Sequence, residues 1–336
     1  MLAAIGLGAV SRHIKDVGAI EAVCGLAGSF GLFVDLRKTM LDLSTAVSAH
    51  ASEPILDWLL EAVSFQGISD EMARRYIDDH PAFSSLGVLR SLASATCPKL
   101  SSYWSFEHCG FEKTWGKCNA PHEVHSCSLP DLDLRNGRLN QTAYALVLFC
   151  RDVAGGDLVG WIDASLAEAA SANPPDQRAR WAAFRQSLLE PLGHLFGVSD
   201  KALSMALSDL LLGTGADRPL WIEAAVGMIA VDTLVHNWLH RTGIINRWGR
   251  PHPYGPNCYR PGGCADAIEL LSLEVDARQF DLEFPQCFPR FVQKAIWSFC
   301  ARSEFDRCNG VRIDDRVGCQ DHSCPLAPSC DRRPLS

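Results

Sequence analysis

Cysteine use constrains this chain more than any other feature. Fourteen of its 336 residues are cysteine, and they are gathered rather than scattered. Residues 97–135 hold Cys97, Cys109, Cys118 and Cys127 together with His122 and His125, and residues 300–330 hold five cysteines. Both stretches have few periodic apolar positions, so something other than a hydrophobic core is expected to hold them. The stretch Met1 to Val10 is apolar, but it has no basic region before it and no clear cleavage site after it. A mature cytoplasmic chain is therefore expected, associated with the nucleoid if the source is bacterial. In a reducing compartment, clustered thiols hold metal more often than they form disulfides.

The rest of the sequence reads as helix. Ile55, Leu56, Leu59, Leu60 and Val63 fall on one helical face, as do Leu139, Ala143, Leu146, Val147 and Cys150. Leu203, Ala206, Leu207, Leu210 and Leu211 form a third stripe, and Ile222, Ala225, Val226 and Ile229 a fourth. Asn173-Pro174-Pro175, Gly213-Thr214-Gly215, Pro251 to Pro256 and Pro261-Gly262-Gly263 mark the breaks. Strand alternation is hard to find, and no repeat of fixed period is present. A composition of 47% hydrophobic and 21% charged residues excludes disorder. No apolar run reaches the roughly 18 residues of a membrane span, so no membrane partner is expected. The fold class predicted is mostly α.

The net charge of −8 argues against a generally basic nucleic-acid-binding surface. One local exception exists. Between Thr233 and Ala265 there is no acidic residue, while Arg241, Arg247, Arg250 and Arg260 alternate with Trp238, Trp248, Tyr254 and Tyr259. Cations can track phosphates and aromatic faces can stack on bases. The plain alternative is a basic Pro/Gly-rich surface loop.

Asp232 stands immediately before this stretch. A helix over 220–229 ends at Ala230-Val231, and a second starts after Asp232, with Leu234, Val235, Trp238 and Leu239 as its apolar stripe and Gly243 as its stop. An acid there is an N-cap worth about 1 kcal/mol. Upstream, Leu211-Leu212-Gly213-Thr214-Gly215 reads as a hairpin between helices, able to aim backbone N–H groups at a phosphate. His236 and His240 follow Asp232 at intervals of four and share its helix face. Such a pair can bind zinc, line a DNA groove, or simply be solvated.

Two metal sites are candidates. Cys308, Cys319, Cys324 and Cys330 are spaced x10, x4 and x5, and four thiolates suit a [4Fe–4S] cluster or zinc. Cys109, Cys118, His122, His125 and Cys127 offer five ligands where zinc needs four, and Cys109, Cys118, His122 and Cys127 are the set expected for a second, structural zinc. Buried free thiols are the alternative.

The order hairpin, helix, Val231-Asp232-Thr233, helix ending in Arg241-Thr242, C-terminal cysteines resembles the helix-hairpin-helix DNA glycosylase superfamily, endonuclease III branch. Leu59 to Gln66 followed by Gly67-Ile68-Ser69-Asp70 extends the match. The resemblance covers residues 53–83 and 198–330. It implies a two-lobed helical fold with a helix-hairpin-helix motif and a C-terminal cysteine-ligated metal cluster. Residues 1–65 would pack with the C-terminal lobe 229–336. Residues 66–228 would form a helical barrel, with the Cys/His-rich segment 97–135 inserted.

The resemblance further implies that Asp232 is catalytic and that double-stranded DNA is the partner. Gln66 would enter the stack and Gly213 and Gly215 would hold a phosphate, with His236 and Arg241 contacting DNA. Cys308, Cys319, Cys324 and Cys330 would hold [4Fe–4S], with zinc as the alternative. A monomer is expected. Bifunctional members carry a Lys after the hairpin, but this chain has none between Lys201 and Lys294. The activity implied is therefore monofunctional hydrolysis of the base–sugar bond, without Schiff-base chemistry. Two other readings stay open. One is a non-catalytic DNA- or RNA-binding metal protein on the same scaffold. The other is a zinc-dependent hydrolase using residues 109–127 with His236 or His240.

Overall fold

The structure, a computed structural model, describes residues 7–27, 32–64, 84–112, 117–119, 129, 137–193, 195 and 198–335. Among them are 15 α-helices and one two-stranded antiparallel ribbon, so the fold is mostly α. No helix among the described residues is long and apolar enough to cross a membrane. The chain divides into two compact units, one of Met1–Leu36 with Ala225–Ser336, the other of Arg37–Ala224.

The Arg37–Ala224 unit contains α3 (Leu41–Ser48), α4 (Ser52–Ser64), α5 (Ser85–Ser94), α6 (Tyr103–Phe106), α7 (Gly137–Asp152), α8 (Leu158–Ser171), α9 (Gln177–Leu192) and α10 (Asp200–Thr214). The ribbon pairs β1 (Phe111–Glu112) with β2 (Lys117–Cys118). Four of these helices start on an acceptor side chain, the short α6 among them, where Ser102 accepts from the Ser105 N–H. Asp157 accepts from the Gly160 N–H, Asp176 from Ala179 and Ser199 from Ala202, each satisfying a donor the first turn leaves free.

The stripe Ile55, Leu56, Leu59, Leu60 and Val63 is buried, as is the stripe from Leu203 to Leu211. These faces decide a boundary. The expectation that residues up to 65 join the C-terminal lobe fails for residues 37–64, because α3 and α4 bury their apolar faces against α7 and α10. A helix goes where its apolar stripe finds cover, whatever its position in the chain.

The other unit contains α1 (Leu7–Ala27), α12 (Thr233–Arg241), α13 (Ile244–Trp248), α14 (Cys264–Ser272) and α15 (Pro289–Cys300); α2 (Leu32–Thr39) and α11 (Pro219–Val226) span the two divisions of the chain. α15 packs against α1, α12 and α14 and buries Phe291, Val292, Ala295, Ile296 and Phe299. Gly243, at φ 76°, occupies the left-handed region between α12 and α13, where an L side chain is strained.

A polar knot ties α1 to α13. The Asp16 side chain, 2% exposed, accepts from Arg247 Nε and Nη2 at 2.7 Å each and from Trp248 Nε1 at 2.9 Å. Arg247 also donates to Asp331 at 2.8 Å, on the exposed side. Arg247→Ala would leave the Asp16 carboxylate buried with one donor, at a cost of about 3 kcal/mol. Asp331→Ala removes only solvent-exposed pairs, with Arg247 and Arg333, and should cost under about 1 kcal/mol. Urea unfolding of both variants checks the contrast, and equal losses would contradict it.

Candidate functional site

Asp232 caps α12. Its Oδ1 accepts from the Val235 N–H at 2.9 Å, and the residue is half-buried after the buried pair Ala230-Val231. The Val231 peptide is itself clamped. Its N–H donates to the Tyr259 hydroxyl at 2.9 Å, and that hydroxyl lies 3.4 Å from the Val231 carbonyl it can donate to. Burial, then the Asp232 charge, pushes the Tyr254 phenol up.

Of the expected hairpin Gly213-Thr214-Gly215, only Gly215 lies between helices. Gly213 and Thr214 are the last residues of α10, and residues 215–218 connect it to α11. Gly213 is buried, and a Cβ there would collide with Met40 Sδ. The Gly215 N–H already donates to Leu211 O at 3.0 Å. Close packing accounts for both glycines. Gly213 and Gly215 belong to the Arg37–Ala224 unit and Asp232 to the other. Gln66 lies outside the described residues.

Arg241 does not face solvent. It is 1% exposed, and its Nη2 donates to Asp315 at 2.5 Å. Its expected DNA contact is therefore corrected to a buried ion pair. The periodicity explains this, since Arg241 comes three residues after the buried Trp238, on the inner face of α12. Trp238 is buried, and Arg247 and Trp248 turn to Asp16. Of the basic–aromatic stretch, Arg250, Tyr254, Tyr259 and Arg260 remain exposed.

Cys308, Cys319, Cys324 and Cys330 lie near enough for their charges to act on one another. Burial pushes the Cys330 thiol up to about 11, and Cys308, Cys319 and Cys324 add to the rise. Cys308 is pulled down, first by the hydrogen bond from Cys300 and then by the Arg241 charge. Cys300, the last residue of α15, is pushed up by burial and by donating to Cys308. Sequence reasoning left Cys300 out. The tail closes over α12, with the Asp331 N–H donating to Thr242 O at 3.2 Å and the Arg333 N–H to Arg241 O at 2.9 Å.

A second group was not expected. His236, His252, Cys258 and Cys264 present ligand atoms all within 4.8 Å of one another, so they could hold a metal. His236 Nδ1 lies 3.5 Å from Cys258 Sγ and 3.4 Å from Cys264 Sγ, and Cys264 Sγ lies 3.4 Å from His252 Nε2. The hydrogen bond from the Cys264 thiol and then the His236 ring pull Cys258 down, toward the thiolate that metals bind.

His236 was expected to contact DNA or to pair with His240. It is buried instead, and it joins His252 and Cys258 from the loop after α13 and Cys264, the first residue of α14. The His240 ring sits 4.1 Å from that of His236 but is outside the group of four. Burial, then His236 and His252, pushes His240 down to about 4, so it is neutral at pH 7. The available signal was the spacing His252-x5-Cys258-x5-Cys264, in a loop without helical period.

Cys109 lies near Cys97 and Cys118. Burial raises its thiol first, the two neighbours add to the rise, and Gln141 Nε2 donates to its sulfur at 3.7 Å. His122, His125 and Cys127 lie outside the described residues.

The cap separates two roles of Asp232. Asp232→Asn keeps an acceptor for Val235 and should change stability by under about 0.5 kcal/mol, while Asp232→Ala should cost about 1 kcal/mol. Chemical denaturation measures both, and an Asn variant as unstable as the Ala variant would mean that the charge itself holds the fold. In comparisons with known proteins, no family model matches this chain, and neither does any curated protein or solved structure.

Proposed function

We propose that this chain is a monofunctional DNA glycosylase that hydrolyses the base–sugar bond of a flipped, damaged or modified base in double-stranded DNA, with Asp232 as the catalytic carboxylate. The observation that carries this reading is the setting of Asp232. It is a half-buried acid tied by a single backbone donor, with Tyr254 within reach of its charge and Tyr259 on the preceding peptide. Tyr254 and Tyr259 are 46% and 42% exposed, in one loop with the exposed Arg250 and Arg260.

A base must leave the duplex stack before its bond can be reached. Departure of the base builds positive charge on the sugar. A carboxylate held in place stabilises that charge and orients the attacking water. The tie to Val235 fixes one oxygen of Asp232 and leaves the other for this work. Tyr259 holds the Val231 peptide, so the carboxylate does not drift. Tyr254 and Tyr259 offer faces for stacking, and Arg250 and Arg260 offer charge for phosphates. No lysine stands between Lys201 and Lys294, which favours water over an amine nucleophile.

Cys308, Cys319, Cys324 and Cys330 fit a [4Fe–4S] cluster. Among the described residues, only the His236 group draws its ligand atoms within 4.8 Å; for the C-terminal cysteines the support is that four thiolates suit such a cluster. Buried Arg241 supports this. Its Nε and Nη1 have no hydrogen-bond acceptor, and its charge acts on Cys308, so an anionic thiolate-bound group there would satisfy it. The group would supply cross-linking of the tail, and the chain's own part is to hold that tail on Arg241 and Thr242.

The non-catalytic nucleic-acid-binding reading is favoured by one observation: the cap alone accounts for an acid at position 232. The zinc-hydrolase reading is disfavoured at His236, where four protein ligands would leave no open position for a water.

Base release from a panel of damaged and modified duplexes separates these readings. Asp232→Asn should lose at least about 100-fold in rate while its DNA affinity stays within about twofold. Undiminished release would remove Asp232 from the chemistry. Replacing Arg250 and Arg260 together by Ala should weaken binding and reduce the slope of log K against log salt by about 1.8. An unchanged slope would place DNA on another surface.

A further inference from the structure

We propose that His236, His252, Cys258 and Cys264 bind one zinc(II) ion in a closed tetrahedral site, and that this ion clasps the loop 249–263 onto the helix whose first turn carries Asp232. The geometry comes first. Zinc bonds sulfur at about 2.3 Å and imidazole nitrogen at about 2.05 Å, so a regular tetrahedron sets nitrogen and sulfur about 3.6 Å apart. The three N···S distances are 3.4, 3.4 and 3.5 Å, close to those edges.

The tautomer also fits. His252 Nδ1 lies 2.7 Å from the Arg250 carbonyl, which only accepts. Nδ1 must therefore be the donor, and Nε2 keeps its lone pair toward Cys264. This is the arrangement that orients histidine ligands.

Charge selects the ion. Two thiolates and a divalent ion cancel, while neutral imidazoles add nothing, so the buried site carries no net charge. Binding releases to water whatever protons the two thiols still hold. A donor set of two sulfurs and two nitrogens excludes calcium and magnesium, which require oxygen, and its tetrahedral closure matches structural zinc.

The loop needs such a tie. Pro251, Pro253 and Pro256 supply no N–H donors. Its backbone bonds include Arg250 N–H to Gly262 O, which alone of these spans the loop, and the short-range Cys258 N–H to Gly255 O, Arg260 N–H to Asn257 O and Gly263 N–H to Arg260 O. Around Gly263 the chain is wrapped so tightly that a Cβ would meet the carbonyls of Asn257, Cys258 and Arg260. The next residue is the ligand Cys264. The ion would thus join α12, through His236, to the loop that carries Tyr254 and Tyr259. The site does not depend on base-release chemistry and stands or falls by its own test.

Elemental analysis of the full-length protein is the first arm. His252→Ala and Cys258→Ala should each contain one zinc per chain less than wild type, with any iron content unchanged. His252 lies on a partly exposed loop, so its variant reports even where a buried cysteine variant fails to fold. The second arm is chymotrypsin cleavage after Tyr254 and Tyr259. Stripping zinc with 1,10-phenanthroline should speed it at least tenfold, and added zinc, but not magnesium, should reverse the effect. Cobalt(II) taken up in place of zinc should show thiolate charge-transfer and tetrahedral d–d absorption that His252→Ala lacks. Equal zinc in His252→Ala and wild type, or cleavage indifferent to the chelator, would overturn the proposal.

Discussion

The helix Thr233–Arg241 is pinned at both ends, and the surrounding unit depends on those attachments. At its start, Asp232 caps it and Tyr259 clamps the peptide before the cap. At its end, Arg241 is buried against Asp315 and Cys308, while the chain tail hydrogen-bonds to Arg241 and Thr242. Burying a guanidinium is costly unless it is paired, so this end of the helix is stable only with the tail in place. His236 lies between the two ends and faces Cys258 and Cys264. The acid proposed for the chemistry thus sits on an element that three separate segments of chain hold still, as a preorganised carboxylate requires.

Cysteine performs two kinds of work in this unit. Cys258 and Cys264 lie within 3.5 Å of imidazole nitrogens of His236 and His252. Cys308, Cys319, Cys324 and Cys330 feel each other's charge without forming so tight a group. The tail around the latter has turns but no helix, and its apolar burial is limited to residues such as Cys319 and Leu326. Such a segment lacks the core that holds a helix in place.

Local patterns were readable where one short segment determines the outcome. The stripe at Ile55 to Val63 packs as its spacing implies, and Asp232 caps the helix that its position announced. What could not be read depends on long-range cover. The direction in which α3 and α4 pack is set by partners at α7 and α10, far along the chain. Gly213 looked like a phosphate-binding glycine because Met40, which fills the space above it, is remote in sequence. Arg241 was misread because charge was weighed above periodicity. The His236 group was missed because its ligands come from a helix, a loop and the next helix, and they converge only when Arg250 pairs with Gly262.

The proposed chemistry has Asp232 directing water at a sugar carbon, with no amine partner. Product analysis under single-turnover conditions tests this most directly, using wild-type protein and duplexes with one damaged or modified base each. The account predicts a free base and an abasic site, with the strand intact until hot alkali cuts it. Strand cleavage trapped by borohydride as a protein–DNA adduct, or no base released from any duplex, would contradict it.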